Sequence, residues 1–447
     1  MRDLLDAGRY AGADRNEPGK RFLKMKATTK KILFISYFAG VDANCPAEWA
    51  DDRLRAMDAM GIKSIVLTNY GSNQQDSESM RVYKTPSLSS DDFAHELTLR
   101  RAWGARRTVG EYTLRGAVLV CGAVLKALTR VLTRGGSGGK WSWMMSATPV
   151  GIWLGITKSI DEIYCTGGPP SAYFVGLMVS RLTGKPLKIE FQDPLVGAEI
   201  NRSGYKQRAV RAVERLMLKN AALGVYVTKK AAEDARKRNP DVGGKIIHNY
   251  PAAWPYLPRE RGDQNQTPKQ PIQILHLGTL YGSRNLDKLF SALDSLYRKN
   301  VVQLGMVQIT NLGSVYTHNA EEYKKRADFN YLPERRRLDA LKIAKNADYL
   351  LLVQHDDSRS AETIPYKLYD YLNLDIPIIL LIKNQEIKEL CHQYSKLIAD
   401  CGNEAEIASA LESALGQNGG WIDQSAANSN HSDRLTIETQ IAKVLSD

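Results

Sequence analysis

The chain has 447 residues, 43% of them apolar and 25% charged, proportions that exclude disorder as the main state. Its 34 glycines and 17 prolines are too few for a collagen-like or low-complexity chain, and five scattered cysteines do not make a disulfide scaffold. A formal net charge of +12 favours anionic partners: nucleic acid, acidic lipid headgroups or phosphorylated small molecules.

At roughly 150 residues per domain the length predicts two to three domains. Residues 1–29 read as a polar N-terminal extension without the apolar run of a secretory signal. KKILFISYF is a buried-strand pattern, and a helix is predicted from near Pro46 through Trp49, Leu54 and Met57. Gly61 ends it and SIVLT (64–68) is the next strand, so the chain opens with a βαβ unit. Residues 70–110 are polar and read as irregular, followed by a helical stretch (114–132), the segment GGSGGK and an apolar segment (142–160). The alternation resumes with DEIYCTG (161–167), a helix at 171–182, PLKIEF (186–191), a helix at 206–220, ALGVYVT (222–228) and KIIHNY (245–250).

A stretch rich in Pro, Gln and charge then marks a boundary. Strands are predicted at 272–278, 303–310, 348–353, 376–382 and 396–400, with helices at 285–298, 333–345, 365–373 and 433–446. The organisation expected is a first domain (30–252), a linker (253–270), a second domain (271–432) and a C-terminal helix (433–447). Two doubly wound α/β domains would face each other across a cleft, and ligands bind at the carboxyl ends of such sheets.

GGSGGKW (135–141) is not a P-loop, because Arg134 stands where the first glycine belongs and Trp141 where Ser or Thr belongs. No G-x-G-x-x-G follows the first strand, and His and Cys show no metal-ligand spacing, so neither a cofactor nor a metal is expected. The cysteines suit a reducing compartment, and no apolar stretch reaches the ~18 residues of a spanning helix, so the protein reads as cytoplasmic.

The strongest constellation is AETIPYKLYDYLNLDIPIILL (361–381), a loop, a helix and a strand. Pro365 is expected in the first helical turn, where free amides and the helix dipole favour an anion, and Lys367 adds a cation. Glu362 precedes the helix and Asp370 lies on it. The two carboxylates could hold two sugar rings of one elongated ligand, or Glu362 caps the helix while Asp370 faces solvent.

This segment resembles the donor-binding segment of glycosyltransferase family 4, a GT-B fold family. That motif is Glu, seven residues, Glu, and here it reads Glu362, seven residues, Asp370. P-x-K-L-[FY]-[DE]-Y (365–371) is similar to the branch that builds bacterial surface polysaccharides. The resemblance implies that Glu362 contacts the transferred sugar and Asp370 the ribose, with Thr363, Ile364 and Pro365 in place of the Gly-Phe-Gly that grips the phosphates. LHLGTLYGSRNLDKLFSAL (275–293) is similar to the opening of the family's second domain. Gly278 matches its glycine, Thr279 replaces an arginine and Arg284 replaces a lysine of the diphosphate site. DEIYCTGGPPSAYFVGLMVSRLTGKPLKIEFQDP (161–194) resembles the polysaccharide branch, which places Gly168, Ser171 and Asp193 on the acceptor side. Glu48 matches the family's first helix, and IIHNYPA (246–252) places Asn249 at its asparagine on the donor side.

From Arg100 to Lys140 there are nine Lys or Arg against one acid, Glu111, and Leu114 to Leu132 has helical apolar spacing. Lys206, Arg208, Arg211, Arg215 and Lys219 repeat the theme. Basic amphipathic helices of this kind lie on an anionic membrane or pack on a core with solvated charges. Aromatic interleaving is sparse, so no nucleic acid is expected.

The resemblance implies a retaining, metal-independent glycosyltransferase. It would move a sugar from a nucleotide sugar to a glycan or lipid-linked acceptor in polysaccharide biosynthesis, at the inner membrane surface. Arg284, Lys367 and the helix start would stabilise the departing diphosphate. A nucleotide-sugar 2-epimerase and a non-catalytic GT-B scaffold are the alternatives.

Overall fold

The computed structural model describes residues 30–41, 45–105, 116, 118, 140–197, 204–256, 271–374, 376–392, 395, 397–416 and 436–446. The expected extension, the GGSGG segment, most of the linker and all of 114–132 except Gly116 and Val118 lie outside the described residues.

Strands β1 (Lys31–Ile35), β2 (Lys63–Asn69), β3 (Met80–Thr85), β4 (Glu162–Thr166), β5 (Leu187–Phe191), β6 (Leu223–Tyr226) and β7 (Ile246–His248) form one sheet, ordered β3-β2-β1-β4-β5-β6-β7. All its pairings are parallel. Its central strands are continuous apolar runs because helices cover both faces. The helices are α1 (Cys45–Ala59), α2 (Ser90–Ala102), α3 (Trp141–Thr157), α4 (Pro170–Thr183), α5 (Tyr205–Asn220) and α6 (Lys229–Arg238).

β3 and α2 correct the irregular reading of 70–110. β3 is an edge strand whose residues, MRVYKT, are mostly half-buried, so it lacks the apolar run of its neighbours. Helix α2 starts at Ser89, whose side chain accepts from the Asp92 amide.

The second sheet holds β8 (Ile272–Leu277), β10 (Val307–Leu312), β12 (Phe329–Leu332), β13 (Tyr349–Val353), β14 (Ile378–Leu381) and β15 (Ile398–Ala399), ordered β12-β10-β8-β13-β14-β15. A short parallel pair, β9 (Leu280–Tyr281) and β11 (Val315–Tyr316), stands apart from it. Its helices are α7 (Asp287–Arg298), α8 (Ala320–Lys324), α9 (Arg337–Ala344), α10 (Lys367–Asn373), α11 (Gln385–Cys391) and α12 (Glu404–Gly416). The last helix, α13 (Ile437–Ser446), returns to the first domain. Its Ile437, Ile441 and Val444 join a core with Ile32, Leu54 and Met57, and Lys188 Nζ donates to the Val444 carbonyl at 2.8 Å.

Each sheet reverses strand order once, between β1 and β4 and between β8 and β13. Crevices open outside the carboxyl ends of strands at such points. The two crevices face each other. Trp49 of α1 stacks on Tyr366 beside α10 at 4.9 Å, and Thr228 Oγ1 at the start of α6 donates to the Glu362 carbonyl at 3.2 Å. Glu386 of α11 accepts from the Lys229 amide at 2.7 Å, so a carboxylate of one domain caps a helix of the other. No helix among the described residues is long and apolar enough to cross a membrane.

Candidate active site

Helix α1 is fixed by a buried ion pair. Arg53 forks onto Glu190 at the end of β5, with Nη2 2.7 Å from Oε1, and the Trp49 indole and the Thr166 hydroxyl donate to the same carboxylate. This anchorage aims Glu48 and Asp52, one turn apart, across the cleft.

Opposite them, β8 is followed by Gly278, with φ +127°, and β10 by Gly313, with φ +135°. Only glycine adopts such angles without strain. Contact reinforces the requirement. A Cβ on Gly313 would lie 2.6 Å from the Gly278 carbonyl carbon, and one on Gly278 would occupy the space of the Lys367 ammonium. Gly313, Gly278 and Lys367 thus form a stack at the mouth of the second sheet. Below it, His276 Nδ1 is 2.6 Å from Asn311 Oδ1. Burial, with Lys367 and Arg284 nearby, pushes that imidazole down to about 3, so it stays neutral.

A cavity of about 260 Å³ lies over the stack. Cys45 and Glu48 wall it from the first domain, and Gly278, Thr279, Gly313, Lys367 and Asp370 from the second. Burial lowers the Lys367 pKa, with Glu48 across the cavity opposing it. Burial pushes Glu48 up to about 7, partly offset by Arg337 and Lys367. The cavity therefore sets the Lys367 amine against the Glu48 carboxyl, with burial moving the two pKa values toward each other.

Asp370 is buried and faces this cavity, but it is not solvated. Arg337 holds it through Nη2 to Oδ1 at 2.5 Å and Nε to both oxygens at 3.2 Å. The other edge of the same guanidinium takes Asp52, with Nη1 to Oδ1 at 2.9 Å and Nη2 to Oδ2 at 2.8 Å. Asp52 also accepts from the Trp254 amide at 3.0 Å and from the hydroxyls of Tyr256 and Tyr366.

Glu362 ends a 3₁₀ turn (Ser358–Glu362) that the Gln354 and Asn384 amides hold by the carbonyls of Ser360 and Thr363. Its Oε2 would be 3.5 Å from a Cβ on Gly197, which places it in the cleft. Arg284 closes a turn with Tyr281, its amide donating to the Tyr281 carbonyl at 3.0 Å, and its guanidinium lies 5.5 Å from that ring centroid. It does not wall the cavity, but it bears on Lys367 electrostatically. Gly168, exposed after β4, packs near Pro46, and Asp193 is exposed after β5.

Four expected positions differ. Pro365 precedes α10, which starts at Lys367, and its carbonyl accepts from the Leu368 amide instead of the residue sitting within the turn. Ile364 is buried in the core of the second domain because its side chain is apolar. Ser171 is wholly buried under the N-terminus of α4. Asn249 is buried at the end of β7 and donates to the Gln440 carbonyl of α13 at 3.2 Å, so it ties down the last helix instead of reaching the cavity.

Sequence reasoning missed Arg337 and Asp52. Arg337 ends the run RRR (335–337), which reads as a solvated face. The available signal was weak: Glu48 and Asp52 stand at i and i+4 on one helix, a mild repulsion that a nearby cation relieves. Among the described residues one further set of metal-ligating types meets, Asp356, Asp400 and Cys401, where Lys383 already pairs with Asp356.

No protein-family model and no curated protein matches the chain. Solved structures do. Anabaena HepE in complex with UDP-glucose is 14% identical, with TM-score 0.55, over 93% of this chain and 99% of that one. The E. coli trehalose-6-phosphate structure bound with UDP-2-fluoro glucose is 12% identical, with TM-score 0.57, over 94% and 98%. Sucrose-phosphate synthase from Thermosynechococcus elongatus is 12% identical, with TM-score 0.56, over 93% and 98%. With the two facing doubly wound sheets, this likeness defines the architecture as GT-B.

Proposed function

We propose that the chain is a retaining glycosyltransferase that takes a sugar from a nucleotide-sugar donor. The stack of Gly313, Gly278 and Lys367 under the cavity carries this reading. It offers a close approach to backbone and a fixed ammonium at the switch point of the second sheet, as a diphosphate needs. The neighbours described with UDP-glucose and UDP-2-fluoro glucose support it by shared fold.

As the glycosyl–oxygen bond breaks, negative charge grows on the departing diphosphate. Lys367 and Arg284 are preorganised to stabilise it, and such groups cost no reorganisation when the bond breaks. Two protein cations there support a metal-independent reaction, and activity unchanged by EDTA is the expected result. Glu362 orients the sugar hydroxyls, Asp370 accepts from the ribose, and Asp193 faces the acceptor.

The acceptor is a lipid-linked glycan of polysaccharide biosynthesis, reached at the inner membrane surface. Met145, Trp153 and Ile156 of α3 and Met178 and Leu182 of α4 are exposed, and exposed Arg208 and Arg211 lie on α5. An apolar face beside basic charge fits an anionic interface.

The test is a thermal-shift screen with UDP, GDP, ADP and TDP. A ligand that binds only the folded state raises the melting point by mass action. One diphosphate should stabilise the protein, and Arg284→Ala should remove the shift. No shift with any of the four would overturn the reading.

A further inference from the structure

Arg337 belongs to two sites at once. Its side chain is 11% exposed, and those of its partners Asp52 and Asp370 are 0% and 5% exposed. Its guanidinium lies 4.8 Å from the Tyr256 ring centroid and 5.2 Å from that of Tyr366. Tyr366 donates to Asp52 as well, so ring and carboxylate both fix the guanidinium. Asp52 belongs to the first domain, while Arg337 and Asp370 belong to the second.

The hydrogen bonds are unequal. Asp52 receives the two terminal nitrogens, one on each oxygen, while on Asp370 the short contact, Nη2 at 2.5 Å, falls on Oδ1 alone. Asp370 receives the Nε edge, and its Oδ2 has a single contact to Arg337, at 3.2 Å. That oxygen keeps lone pairs for a further donor. Without Asp52 the Arg337 Nη1 is released, and the guanidinium can turn to draw the long contact on Asp370 Oδ2 as close as the one on Oδ1.

We propose that Arg337 is a positioning residue that leaves Asp370 open to the donor only while its other edge is held by Asp52, so that domain closure and assembly of the donor pocket are one event. The inference rests on the glycosyltransferase reading for the identity of the ligand, but not for the closure itself. Opening the domains would also withdraw Cys45 and Glu48 from the cavity wall. An arginine shared across the cleft therefore favours the same closed state from both sides.

The test uses the full chain, Asp52→Asn and Arg337→Lys, with UDP, GDP, ADP and TDP as probes in calorimetry and with small-angle scattering. Asn keeps the shape of Asp52 without its charge, and Lys keeps the charge of Arg337 without its fork. Both variants are expected to show a larger radius of gyration than wild type. Each should bind the recognised diphosphate about tenfold more weakly, a coupling typical of residues in one network. Saturating nucleotide should restore the wild-type radius. A folded Asp52→Asn with wild-type affinity would overturn the proposal, as would an unchanged radius in both variants. If wild type binds none of the four probes, the donor reading fails and the scattering result alone decides whether Arg337 sets closure.

Discussion

The ammonium of Lys367 fills the space that a Cβ on Gly278 would need. Gly278→Ala must therefore displace Lys367 and also adopt φ +127° with a side chain, which strains the turn by about 1–3 kcal/mol. The expected outcome is a lower melting point together with loss of nucleotide-induced stabilisation, read in one thermal-shift titration. Retained stabilisation would mean that the stack is not the diphosphate seat.

Lys367→Ala leaves Gly278 uncrowded, so the fold should hold while the reaction suffers. Removing one preorganised group from a developing charge costs about 10²–10³ in kcat. Steady-state rates with the donor identified by the screen check this. A fall confined to KM would assign Lys367 to ground-state binding instead.

Glu48 gives the site a pH signature. Its pKa is raised by burial to about 7, and a bound diphosphate beside Lys367 would raise it further by like-charge repulsion. The bound state then holds more protons than the free state. Nucleotide affinity should fall as pH rises through about 7 and above, with proton uptake on binding. Calorimetry in buffers of different ionisation enthalpy measures that uptake, and Glu48→Gln should abolish it.

The exposed face of α3 predicts a separable defect. Met145, Trp153 and Ile156 are 48%, 47% and 67% exposed, so replacing all three by Ser should leave folding intact. Binding to vesicles rich in anionic lipid should drop, and nucleotide binding should not. Replacing Lys126, Arg130 and Arg134 together tests the neighbouring basic stretch in the same assay. Unchanged vesicle binding in both variants would remove the membrane from the reading.

Much of this architecture was legible because buried parallel strands are apolar runs that a one-dimensional reading detects. KKILFISYF, PLKIEF and IPIILLI all became interior strands. β3 escaped because an edge strand needs only partial burial. The site was legible where function restricts the backbone, as at Gly278, or places a charge beside a helix start, as at Lys367. It was illegible where a polar side chain serves packing. Asn249 and Ser171 match positions in a motif yet are spent on the interior. Arg337 lay hidden for the opposite reason, since three consecutive arginines look alike until a partner 285 positions away selects one.

Helix α13 gives the first domain a dependence on order of synthesis. Its residues 437–446 complete a core that begins with Ile32, and Lys30 Nζ reaches the Leu445 carbonyl at 2.9 Å across 415 positions. Domains generally fold in turn as the chain emerges. Here the helix that completes the core around Ile32, Leu54 and Met57 is made only after the second domain. A chain stalled or clipped before residue 437 would lack the apolar contacts of Ile437, Ile441 and Val444, and transiently exposed apolar surface of that kind is what chaperones exist to meet.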